Sequence, residues 1–168
     1  MVGTVKVALG SDHNAYELKE RIKTYLERHN HEVVDYGCYG CDAVDYPDVA
    51  FQVSLDLKKG KFNRAILVCG TGIGMAIAAC KVPGIRAALC HDTYSAERAR
   101  KSNNAQILTM GAKVIGPEAA LKVVEAWINS EFEGGNSGRK VEKIMEKEQE
   151  FIRRGEYEKV DQPSGGSC

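Results

Sequence analysis

The chain has 168 residues, 43% of them apolar, and its 23 basic and 23 acidic side chains cancel to zero formal charge. That length and apolar share suit one folded domain with a real core. The charge balance leaves no basic field for nucleic acid and no acidic interaction tail, and no apolar run approaches the length needed to cross a membrane.

The opening, MVGTVKVALG, has no charged region followed by a long apolar one, so it does not read as a signal peptide, and Gly3 stands one place too late for myristoylation. Without a secretory signal, Cys38, Cys41, Cys69, Cys80, Cys90 and Cys168 are expected as free thiols in a reducing cytoplasm.

In chain order, Val5 to Leu9 reads as a short strand ending at Gly10-Ser11-Asp12-His13. Leu18, Ile22, Tyr25 and Leu26 then fall on one face of a helix. Glu32 to Tyr36 is a second strand. Pro47 suits the first turn of a helix carrying Val49, Val53 and Leu57 on one side. Ala65 to Val68 is a third, wholly apolar strand, and Ile73 to Cys80 is helix-like and closed by Pro83-Gly84. Ile85 to Cys90 and Gln106 to Met110 read as further strands, with a helix over Ser95 to Lys101 between them and another after Pro117. Glu133-Gly134-Gly135-Asn136 is a break. A last amphipathic helix follows, with Val141, Ile144, Met145, Phe151 and Ile152 on one face, available to its own domain or to a partner.

Strand and helix thus alternate five times, and the strands are short and mostly apolar. That pattern predicts an α/β fold: a doubly wound, Rossmann-like parallel sheet of five strands, order 2-1-3-4-5, with helices on both faces and an extra C-terminal helix. Residues 1–154 are expected to form the single domain and 155–168, ending QPSGGSC, a disordered tail.

In such sheets ligands bind beyond the C-terminal strand ends, where strand order reverses. Two loops qualify: Ser11-Asp12-His13-Asn14 after the first strand and Cys69-Gly70-Thr71-Gly72-Ile73-Gly74 after the third. The second is neither a dinucleotide fingerprint, because Gly74 comes one residue early, nor a Walker loop, because Met75 follows Gly74 where lysine is required. It remains a loop whose backbone N–H groups can curl around an anion at a helix N-terminus. The same field favours the thiolate of Cys69, which can act as base or nucleophile, while Cys80 and Cys90 read as inert core thiols. Cys38-Tyr39-Gly40-Cys41 has the spacing of a redox pair or half a zinc site, but no second pair completes it, and it reads as chance spacing in a loop.

Five ordered stretches together resemble the type B ribose-5-phosphate isomerases and the related galactose-6-phosphate isomerase subunits: GSDHNAYELK from Gly10, DYPDVA from Asp45, ILVCGTGIGMAIAACKVPGIRAALC from Ile66, SNNAQILTMGAKVIG from Ser102 and FEGG from Phe132. The likeness runs from about Val5 to Lys143. It implies interconversion of aldose and ketose phosphates, first ribose 5-phosphate and ribulose 5-phosphate, through a cis-enediolate and without metal or organic cofactor. By resemblance Cys69 is the base, the backbone of Gly70, Gly72, Ile73 and Gly74 stabilises the enediolate, and Thr71 bonds near the ring oxygen or O1. Asp12 would hold hydroxyls and His13 phosphate or neighbouring oxygens, with Tyr46 and Asn103 lining the pocket. Met75 stands where some members carry a catalytic glutamate. The resemblance also implies a homodimer or tetramer with sites built across the subunit interface.

Two positions depart from the family pattern. Many relatives have histidine where this chain has Ser102, leaving ring opening to Ser102, His91, Thr71 or a water. After FEGG, relatives often carry two arginines where this chain has Asn136 and Lys140, so phosphate would fall to Lys140 and the adjacent Arg139. These changes open three alternatives: a four-carbon substrate, a six-carbon substrate, or a silent sugar-phosphate binder.

Overall fold

The computed structural model describes residues 3–40 and 42–155. Cys41, and the tail expected from 155 onward except Gly155 itself, lie outside the described residues. Five strands form one all-parallel sheet: β1 (Lys6–Ser11), β2 (Glu32–Asp35), β3 (Arg64–Cys69), β4 (Ala87–Leu89) and β5 (Ile107–Gly111). The helices are α1 (Tyr16–Arg28), α2 (Tyr46–Lys58), α3 (Ile73–Cys80), α4 (Thr93–Lys101), α5 (Pro117–Ile128) and α6 (Gly135–Arg154), and a short 3-10 turn, His13–Ala15, precedes α1.

The strand order is β2-β1-β3-β5-β4, which corrects the expected 2-1-3-4-5 at its last two places. The burial of the strands explains the exchange. Every residue of β5 is buried, whereas the three residues of β4 are half-buried or exposed. The wholly buried strand takes the slot with two neighbours, and the short, less buried one takes the edge, where unpaired backbone meets solvent. Crossover handedness then sorts the helices. The connections from β2 to β3 and from β3 to β4 run one way across the sheet, and the residues of α2 and α3 share one core layer with Leu67 and Cys69. The connections from β1 to β2 and from β4 to β5 run the other way, and α1 and α4 join α5 on the opposite face. Trp127, fully buried there, is the largest side chain of the core; burying a side chain such as Leu9, Ile22 or Ile66 stabilises by about 1.5–3 kcal/mol each.

The helix ends follow local chemistry. Asp92 caps α4 by accepting the Ser95 N–H at 2.7 Å, so that helix starts two residues before its apolar pattern does. Gly134, with φ of 69°, precedes α6, which begins inside the expected break. Only Val141 of α6 is buried, while Ile144, Phe151 and Ile152 stay 55%, 57% and 49% exposed, so its apolar face is not consumed by its own domain.

Lys19, whose position on an amphipathic helix suggested nothing special, is fully buried and binds both oxygens of Asp35 at 2.9 Å. Burial alone would push this ammonium down, but Asp35 and Glu20 outweigh it and raise it. Asp35 also accepts the Gly37 N–H at 2.9 Å. Gly37 and Cys38 in turn bond the backbone of Ser11. The pair thereby anchors the β2 exit loop against the tip of β1, where Asp12 begins.

Candidate active site

Cys69 is the last residue of β3 and only 4% exposed. It pairs in register with Gly111 at the tip of β5, and its side chain enters the layer shared with α2 and α3. The chain then turns sharply into α3. Gly72 makes the turn with φ of 78°, and a Cβ there would stand 2.6 Å from the Met110 carbonyl carbon, so glycine is required on both counts. The turn aims the Gly72 N–H at Cys69 Sγ, 3.1 Å away. A charge-stabilising donor therefore meets the sulfur beside the N-terminus of α3, whose free amides and dipole favour negative charge. Thr71 is exposed above this turn, and its hydroxyl accepts the Ile73 N–H at 3.4 Å.

Tyr46 opens α2 and lays its ring on α3. A Cβ on Gly74 would fall 2.5 Å from the ring carbons, which leaves glycine as the residue that admits the ring. Asp12 is 5% exposed and neighbours Cys69 through the bond from its N–H to the Val68 carbonyl at 3.2 Å. Its carboxylate accepts the Asn14 N–H at 3.0 Å and the Asn14 amide at 3.4 Å, so its direction is fixed. His13 is exposed, with Nδ1 accepting the Val44 N–H at 3.4 Å, and its ring borders a cleft of about 360 Å³ beside Tyr16, Arg21 and Ala112. Cys69, Gly70 to Gly74, Asp12 and His13 therefore belong to the C-terminal edge of one sheet, as their positions at the ends of β1 and β3 predict, and Tyr46, at the start of α2 after β2, joins them.

Lys113 is a residue that the sequence reading missed. Its methylenes lie 3.6–3.8 Å from where a Gly70 side chain would project, so its ammonium belongs to the same edge. The bond from the Lys113 N–H to the Gly70 carbonyl, 3.0 Å, ties the two loops together. The signal available was its place four residues after Thr109 in β5, at another C-terminal strand end. His91, at the tip of β4, accepts the Gly111 N–H on Nε2 at 2.9 Å, which puts its ring proton on Nδ1 and engages Nε2 structurally.

The remaining candidates lie elsewhere. Ser102 ends α4, and Asn103 follows it toward the start of β5. Glu133, just before α6, donates its N–H to the Lys101 carbonyl at 3.2 Å. Arg139 and Lys140 are exposed on the first turns of α6. All four belong to the N-terminal edge of the sheet, about 15–20 Å of strand from Cys69 at roughly 3.3 Å per residue. One chain does not bring them to the thiol.

Two cysteine expectations divide. Cys90 is 3% exposed, and burial, reinforced by Asp92, pushes its thiol up to about 11, as an inert core thiol should be. Cys80 is exposed, which corrects its reading as core: it is the last residue of α3, on the outer side, where its sulfur accepts the Ala87 N–H at 3.3 Å. Cys38 is a buried free thiol that donates to the Gly40 carbonyl.

Comparison with known proteins identifies the family. The family model described as Ribose/Galactose Isomerase matches residues 7–144. A D-erythrulose-4-phosphate isomerase of Pectobacterium atrosepticum is 54% identical over 142 residues, covering 83% of this chain and 93% of that protein. A ribose-5-P isomerase B of Listeria innocua is 50% identical over 86% of this chain and 98% of its own length. The structure of Clostridium thermocellum ribose-5-phosphate isomerase B superposes with a TM-score of 0.85 at 44% identity, covering 87% of this chain and 99% of that one. With its sheet, its helices and most of its length matched, this chain belongs to the ribose/galactose isomerase family.

Proposed function

We propose that this protein interconverts aldose and ketose phosphates, with Cys69 as the base. The observation that carries the reading is the thiol at the tip of β3, met by the Gly72 N–H at 3.1 Å beside the N-terminus of α3. In the aldose-to-ketose direction the thiolate takes the C2 proton. The C2–H electron pair becomes the C1–C2 double bond, and O1 takes the negative charge of a cis-enediolate. Return of the proton to C1, with transfer of the O2 proton to O1, gives the ketose. Backbone N–H groups of the Gly70 to Gly74 loop, at the N-terminus of α3, would meet the developing charge, where fixed donors lower a barrier most. Asp12, fixed by Asn14, suits substrate hydroxyls. His13 and Lys113 offer positive or hydrogen-bonding edges to phosphate.

The site is completed by a second copy of the chain. Ser102, Asn103, Arg139 and Lys140 cannot reach their own Cys69, and α6 leaves an apolar face uncovered beside them. A homodimer in which each N-terminal sheet edge meets the partner's C-terminal edge accounts for both facts.

Ribose 5-phosphate is the first substrate to test, in keeping with the Listeria relative. A four-carbon 4-phosphate is the second, favoured by a specific observation. The turn Ser102-Asn103-Asn104 holds no titratable side chain, whereas opening a furanose ring needs a proton delivered to the ring oxygen. A tetrose or tetrulose 4-phosphate carries phosphate on O4 and cannot close a five-membered ring, so it needs no such group. The Pectobacterium relative bears the name of an erythrulose-4-phosphate isomerase.

The test is turnover of both sugar phosphates in deuterium oxide, with Cys69→Ala alongside. Solvent deuterium at the carbon next to the carbonyl, and a loss of roughly a hundredfold or more in the variant, are expected. Turnover unchanged in the variant removes Cys69 as base, and binding without exchange identifies a silent relative.

A further inference from the structure

The groups handed to the second copy come from two separate segments, the 102–104 turn and α6. For a composite site they must arrive in fixed relation to each other. We infer that Arg86 is the positioning residue that locks these two segments into one rigid unit; the inference rests on the two-copy site proposed above.

Arg86 precedes β4 and its backbone is pinned from both sides. Its N–H donates to Gln106 Oε1 at 2.8 Å, and its carbonyl accepts the Gln106 N–H at 3.0 Å. The Gln106 amide donates onward to the Gly84 carbonyl at 2.9 Å. From this fixed stem the guanidinium spreads over both segments. Nε reaches the carbonyls of Asn103 at 3.1 Å and Asn104 at 3.2 Å, and Nη2 reaches Asn104 again at 2.9 Å. Nη1 reaches the Met145 sulfur on α6 at 3.0 Å. Less than one helical turn further along α6, Glu148 accepts the Gly84 N–H at 2.8 Å. A single side chain and its own turn therefore tie the 103–104 carbonyls to the middle of α6.

The turn itself uses a special backbone. Asn104 has φ of 47°, a left-handed conformation rare outside glycine that asparagine tolerates better than most residues. Such backbone persists where its surroundings over-determine it, and it gathers at functional segments. Here two arginines act on one residue: Arg86 on the Asn104 carbonyl, and Arg100 on the Asn104 side chain at 3.1 Å. The acceptors are divided among Nε, Nη1 and Nη2 of one guanidinium fork. The point charge of a lysine cannot span them, so charge alone does not explain the arrangement.

The test uses full-length Arg86→Ala, Arg86→Lys and Cys69→Ala, assayed with ribose 5-phosphate and a four-carbon aldose 4-phosphate. Misplacement by about 1 Å costs on the order of a hundredfold, so Arg86→Ala should lose kcat by roughly that factor, with Arg86→Lys in between. The deciding measurement is a mixed dimer of one Arg86→Ala and one Cys69→Ala chain, carrying different tags and isolated by both. One of its two sites pairs an intact Cys69 with an intact 103–104 turn and α6, so about half of wild-type turnover should return, a recovery of on the order of fiftyfold over either parent homodimer. If Arg86→Ala does not fold, the same mixed dimer is made with Arg86→Lys. A mixed dimer no more active than its Arg86-variant parent overturns the inference, because Arg86 then serves only its own subunit. So does Arg86→Lys or Arg86→Ala with wild-type kcat. Wild-type protein without turnover, or Cys69→Ala protein with it, fails the catalytic reading itself and is distinguishable from both.

Discussion

Gly74→Ala separates the shape of the site from the stability of the fold. An added Cβ would stand 2.5 Å from the Cε2 and Cζ atoms of Tyr46. Carbon atoms pack at about 3.5–4.0 Å, so the ring must retreat by about 1 Å or more. It has somewhere to go, because Tyr46 is 39% exposed at the start of α2. The backbone meanwhile gains: alanine in a helix is better than glycine by about 0.5–1 kcal/mol. Partial loss of ring packing costs a similar amount at about 25 cal/mol per Å², so the net change in stability should stay within about 1 kcal/mol. Activity should not be spared in the same way. The ring packs on Gly74 at the start of α3, beside the proposed anion-binding turn, and a displacement of that size costs roughly tenfold to a hundredfold in kcat/KM. Urea unfolding and steady-state kinetics on the same preparation read the two effects. In a Tyr46→Ala background there is no ring to displace, and Gly74→Ala should then change kcat/KM by less than about twofold. An equal loss in both backgrounds would refute the steric reasoning and locate the effect in the α3 backbone.

Other outcomes follow from the same structure. Gly72→Ala should destabilise by about 2 kcal/mol or more, because the left-handed conformation alone costs about 1–2 kcal/mol and the new Cβ meets the Met110 backbone at 2.6 Å; a denaturant midpoint indistinguishable from wild type contradicts it. Lys113→Met keeps the methylenes over Gly70 and removes the charge. It should raise KM for a phosphorylated sugar about two- to fivefold, with the difference shrinking at high salt, and a salt-independent change would point to packing instead. The hydrogen bond from Lys61, helped by Tyr36 and Lys59 and opposed by burial, holds the Asp56 carboxyl at about 2, below its ordinary 3.8. A depressed carboxyl stabilises the fold above its unfolded value and loses that contribution as pH falls through the folded one. Unfolding stability should therefore decline between about pH 4 and pH 2, and Asp56→Asn should flatten that decline; an identical slope in the variant denies Asp56 the role.

Much of the architecture is written locally. The five apolar runs and the helical spacing between them state the alternation of strand and helix, and α3 runs over Ile73–Cys80 because Gly72 and Pro83-Gly84 bracket it. The two loops that meet at the site follow from their positions after β1 and β3, and Cys69 stands out because a thiol ends an apolar strand just before glycines. Ser102 and Asn136 stand out as departures only through the family resemblance.

What the chain alone leaves open is whatever depends on segments meeting across distance. The exchange of β4 and β5 is settled by which strand can be buried on both sides, a comparison between runs twenty residues apart. Lys19 looks like any helix lysine until Asp35 is brought beside it. Lys113 comes beside Gly70 when the β5 exit folds over it, and Arg86 meets two segments when Asn104 and Met145 converge on one guanidinium. Periodicity and turn chemistry are properties of neighbours along the chain, so the sequence determined the elements, most of their ends and the position of the candidate thiol. Hydrogen bonds and charge pairs between distant residues exist only once backbone packing has set their distances, so the strand order, the buried ion pair and the placement of the candidate residues at two sheet edges were decided by the tertiary structure.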